Sequence, residues 1–65
     1  MPQAIELHSF ECHILRTSLR SIVIELDGEE IILPQSLIDS PNELPSNGNA
    51  RVTIPSWLAK ARGII

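Results

Sequence analysis

The chain has 65 residues (7.2 kDa), five basic and eight acidic side chains, and a net charge of −3. That is room for one small domain, too little for a two-domain enzyme, and a poor setting for a deep catalytic cleft. The acidic balance argues against a non-specific nucleic-acid binder, and no apolar run is long enough to span a bilayer, Ile22-Val23-Ile24 being typical.

Apolar residues make up 43% of the chain, eighteen of them Ile or Leu, and the aromatics are Phe10 and Trp57 alone. A domain of this size buries only about 60% of its unfolded surface. Cys12 is the single cysteine, so no internal disulfide compensates. Tight packing or self-association must do so, and a homo-oligomer is expected. The opening segment MPQAIELHS has neither a cationic stretch nor a long apolar one, so no signal peptide is read there. With one free thiol, the expected compartment is a reducing cytoplasm.

Residues 4–16 alternate with a change of phase. Ile5 and Leu7 share one parity, and Phe10, Cys12 and Ile14 the other. A bulge near Ser9 would turn both sets to one core. A helix from Phe10 to Leu19 competes, but Thr17 and Ser18 suit a turn after strands. Residues 20–33 read as a β-hairpin around Asp27-Gly28, with Ile22, Ile24 and Leu26 facing the same side as Ile31 and Leu33. A two-residue turn would set Glu25 opposite Glu30, an unfavourable pair. A four-residue turn avoids that and pairs Leu26 with Ile31. Val23 and Ile32 fall on the opposite face, which then needs a cover.

Pro34 ends this strand, because it cannot donate to a ladder. Residues 34–39 suggest one helical turn, and 39–50 a long loop, functional or mobile, with a turn at Asn47-Gly48. Arg51-Val52-Thr53-Ile54 is a short strand. Pro55 opens a helix over Ser56 to Arg62, and Gly63 closes it. Trp57, Leu58 and Ala61 form its apolar stripe, with Trp57 expected as a core anchor. Lys60 and Arg62 lie off the stripe, and Ile64 and Ile65 should fold back over the helix end. The fold class is α+β: a single domain over residues 1–65, with a small bent antiparallel sheet of three to five strands and one C-terminal helix.

Chemistry-bearing residues are few. His8, Cys12 and His13 do not share one side of a strand, so no metal site is expected. No nucleophile–base arrangement supports catalysis, and no cofactor motif is present. The acidic tip Glu25, Asp27, Glu29, Glu30 lacks calcium-loop spacing and reads as a solvated turn. The basic inventory is Arg16, Arg20, Arg51, Lys60 and Arg62. If these converge, they make a small anion site rather than a nucleic-acid track, since guanidinium groups match phosphate in a bidentate manner. Trp57 could then serve as anchor and ligand contact together.

Two segments carry a resemblance. Residues 25–36, ELDGEEIILPQS, resemble a hairpin followed by a "W-I-P-K-S-Q" pattern, with Ile32, Gln35 and Leu37 standing where that pattern has Trp, Lys and Gln. Residues 52–65, VTIPSWLAKARGII, resemble a terminal "V-x-I-P-x-W-L-A-x-x-K-G-L-I" pattern. Both occur in a group of small proteins of bacteriophages and mobile elements. The likeness implies a phage or mobile-element context and no particular chemistry. The function expected for the chain is a non-enzymatic binding protein of phage type acting against a host defence factor, either by occluding a host protein or by sequestering an anionic nucleotide-type ligand. A structural virion or assembly component is a further alternative. The ligand mode would use Arg16, Arg20, Ser36, Arg51, Trp57, Lys60 and Arg62. A narrower likeness joins Arg51-Val52-Thr53-Ile54-Pro55 and Gly63-Ile64 to the core of AbrB-type swapped-hairpin DNA-binding domains, which implies a dimeric regulator. In that pattern a glycine precedes the arginine, where this chain has Asn49-Ala50.

Overall fold

The computed structural model describes residues 6–65. Ile5, grouped above with Leu7, lies outside them. Four strands, β1 (Leu7–Thr17), β2 (Ser21–Leu26), β3 (Glu29–Pro34) and β4 (Gly48–Pro55), precede one helix, α1 (Ser56–Ala61). They form one antiparallel sheet in the order β3-β2-β1-β4. The expected sheet with one helix after it is therefore present, with strand predominating and a helix of six residues.

The β2–β3 hairpin settles the two registers. Glu25 pairs with Glu30 and Leu26 with Glu29. Asp27 and Gly28 both have positive φ, 53° and 82°. That is the signature of a type I′ turn, whose twist matches the flanking strands. The four-residue turn, which would pair Leu26 with Ile31, does not form. In the observed register Pro34 pairs with Ser21 at the ladder's end, where a missing N–H removes nothing. Glu25 and Glu30 are both exposed, so water and salt screen their repulsion.

β1 is one continuous strand, and the change of phase lies at Leu15 rather than near Ser9. Ile14 pairs with Ile24 but Arg16 with Val23, leaving Leu15 as the extra residue. Without it, Arg16 would follow Phe10, Cys12 and Ile14 onto the core side. The bulge turns the charge outward. Leu7 accordingly stays outside, 53% exposed, opposite Pro55. Its neighbours of the same parity meet polar partners on β4: Ser9 Oγ lies 2.7 Å from Thr53 Oγ1, Glu11 faces Arg51, and His13 Nδ1 lies 3.0 Å from Asn49 Oδ1. This is the water-facing side of the sheet.

The other side holds the core: Cys12, Ile14, Ile22, Ile24, Leu33, Val52 and Ile54, closed by Ile38 and by Leu58 and Ala59 of α1. A six-residue helix does not persist in water alone, so its packing holds it. Pro55 is the residue before the helix rather than part of its first turn, and the Ser56 N–H donates to the Glu6 carbonyl at 2.8 Å. Past the helix, the Gly63 N–H donates to Lys60 O and the Ile64 N–H to Ala59 O. With Gly63 at φ 77°, this is a complete Schellman cap. Ile64 packs back on the core as expected, whereas Ile65 remains 54% exposed.

The helix continues edge strand β4, yet Arg62 at its end donates Nε–H to the Ile32 carbonyl of the opposite edge strand, β3, at 3.2 Å. α1 thus lies against β4 and β1 on the core side, and the Arg62 side chain spans the rest of the way to β3. The loop is shorter than the expected 39–50, because residues 48–50 already belong to β4. It is also tethered: Ile38 is buried, the Asp39 N–H donates to Thr53 O at 2.9 Å, and 3-10 turns form at Gln35–Leu37 and Pro41–Glu43. The first of these is the helical turn expected at 34–39. Loop and arginine each occupy part of an exposed strand edge. Among the described residues no helix is long and apolar enough to cross a membrane.

Candidate functional site

The seven candidate residues do not converge. Arg20 and Arg62 alone share a hollow, of about 580 Å³, along β3 and the end of α1. Glu29, Glu30 and Ile32 also line it, and the Arg62 Nε–H is engaged by the Ile32 carbonyl. A second hollow, of about 570 Å³, takes Arg51 in company with Glu11, Glu25 and Asp27. Three carboxylates lining the same hollow as a single guanidinium make it unfavourable for a phosphate. Arg16 lies on β1 opposite Val23, Lys60 is exposed on α1, and Ser36 is exposed in the first 3-10 turn. None of these three lines either hollow. The expected single anion site is therefore absent from the described residues of one chain.

Trp57 is the largest correction. It is 58% exposed, and α1 instead buries Ser56, Leu58 and Ala59. On so short a helix, one turn's worth of side chains reaches the core. Leu58 and Ala59, at positions three and four of the helix, fill that space, and Ala61 is also exposed. Trp57 thus presents an indole to solvent beside the β4 end where Leu7 faces Pro55. Sequence reasoning assigned Leu7 to the core. The usable signal was its parity with Ser9, Glu11 and His13, all polar. Val23 is buried on the outer face, as the pattern required, whereas Ile32 beside it is 59% exposed.

The His8–Cys12–His13 trio separates as the alternation implies. The His8 and Phe10 rings stack with centroids 6.0 Å apart, Cys12 is buried, and His13 meets Asn49 outside. Among the described residues, no three His, Cys, Asp or Glu side chains gather to hold a metal ion. Burial pushes the Cys12 thiol above its ordinary pKa. A buried thiol that resists ionising is a poor nucleophile. Alkylation of the native protein at about pH 8 should run at least about tenfold slower than in urea, followed by intact-mass measurement. Equal rates in the two conditions would place Cys12 outside the core.

Compared with known protein families, curated proteins and solved structures, the chain shows no significant match.

Proposed function

We propose that this chain is a non-enzymatic, self-associating binding protein that occludes a partner protein through the surface around Trp57. The observation that carries this reading is the 58% exposure of Trp57. A large aromatic held outward on a packed helix is the residue type that most often dominates protein–protein contacts. The likeness to small phage and mobile-element proteins supports a host defence factor as the partner and the host cytoplasm as the setting. Sequestration of a nucleotide-type anion draws less support, because Arg16, Arg51 and Lys60 stand apart from Arg20 and Arg62. The AbrB-type regulator draws less still. Arg51, which carries that likeness, faces Glu11 across the ladder, and the described basic residues are scattered over the molecule.

The test is Trp57→Ala. Its melting temperature should stay close to wild type, since exposed substitutions cost about 0.5 kcal/mol or less. Affinity enrichment from a host lysate should lose the partner retained by wild type, while Lys60→Ala should keep it. Trp57→Ala unfolding instead would return the indole to a structural role and end this reading.

A further inference from the structure

We propose that the outer side of β3 is a seam between two copies of this chain, related by a two-fold axis near Ile32. This rests on the self-association in the reading above and names the surface that provides it. β3 is an edge strand. Ile32 is 59% exposed at its middle, on the same face as Glu30, and the hollow beside it also takes Pro34 and Ala61.

A two-fold contact uses one patch twice, so the patch must complement itself. This one does. Its acidic end is Glu29 and Glu30, at the start of β3. Its basic end is Arg20, whose carbonyl accepts the Gln35 N–H at 2.8 Å, directly after Pro34. Rotation about Ile32 brings Glu30 of each copy to Arg20 of the other and packs Ile32 on Ile32. A head-to-tail alignment in the same direction would set carboxylate on carboxylate. Within one chain Glu25 and Glu30 face each other directly, and an arginine from a second copy offsets that repulsion. Arg62 fixes the mode of contact. Its Nε–H occupies the Ile32 carbonyl, so the copies meet through side chains rather than by extending the ladder. A two-fold contact uses the same patch on both copies, so it closes on itself as a dimer and does not run on as a filament.

A charge exchange tests this. In sedimentation velocity at micromolar concentration, wild type should run at twice the 7.2 kDa chain mass. Glu30→Arg and Arg20→Glu should each weaken self-association by about a hundredfold, because each sets like charges together at two symmetric points. Both side chains are exposed, so the circular dichroism of each variant should match wild type. Mixing the two variants in equal amounts should restore a heterodimer, since both contacts become opposite in sign again. A monomeric wild type, a single variant that dimerises like wild type, or a mixture that stays monomeric would each overturn the seam. Trp57→Ala should remain dimeric. If it does not, the interface runs through α1 and the seam is wrong. A monomeric wild type that still captures its partner through Trp57 would leave the occlusion reading standing without the seam.

Discussion

Replacing Leu58 with alanine should unfold the domain at ordinary temperatures. Leu58 is 2% exposed and is the one large aliphatic side chain that α1 sends into the core. Truncating a buried leucine typically costs about 2–5 kcal/mol, counting both the lost burial and the cavity left behind. Small domains hold roughly 5 kcal/mol in total. The loss also spreads, because a six-residue helix has no stability of its own and takes the Schellman cap and Ile64 with it. Leu58→Met conserves volume and should cost less than about 1.5 kcal/mol. Urea unfolding of the pair is the measurement. An alanine variant whose midpoint matches wild type would show that the helix does not hold the core closed.

Gly63→Val should destabilise the domain through the backbone alone. Gly63 sits at φ 77°, in the left-handed region. Nothing lies within 4 Å of where a Cβ would stand, so the cost is conformational and not a clash. Alanine should lose about 1 kcal/mol there, and valine, stiffened by its branch, about 2 kcal/mol. Asparagine tolerates this backbone and should be milder than either. In a domain of this size each kcal/mol moves the melting temperature by about 4–8 °C. The order Asn, Ala, Val in thermal melts checks the account. Equal losses for all three would mean that something other than the backbone angle is at stake.

The boundaries were legible where one residue type dominates the local geometry. Asp27-Gly28 announces the hairpin, Pro55 the entry to α1, and Gly63 its exit. What sequence could not rank was competition between costs. Glu25 against Glu30 argued for the wider turn, and the tight Asp27-Gly28 turn, whose twist matches the flanking strands, outweighed it. Leu7 and Phe10 differ in parity, and both readings of that fact require a bulge or an exposed leucine. Only the partner strands put the bulge at Leu15. Trp57 was misread because hydrophobicity ranks side chains by what burial would gain. A single helical turn has room for Leu58 and Ala59, and the bulkiest side chain is left outside. The arginines were visible as an inventory, but their separation follows from strand pairing and has no local signature.

The strand order also governs how the chain comes together in time. Leu7–Glu11, the first half of β1, pairs with β4 alone, and Ser9 meets Thr53 across a separation of 44 residues. The hairpin of β2 and β3 closes over two residues and can form early, whereas this pairing must wait for the distant strand and bear the entropy of a long loop. During synthesis at about 5–20 residues per second, those 44 residues leave the front of β1 unpaired for roughly 2–9 s. Its alternation of Ser9, Glu11 and His13 with apolar neighbours thus keeps a nascent edge wettable during the interval when neighbouring polypeptides could add to it.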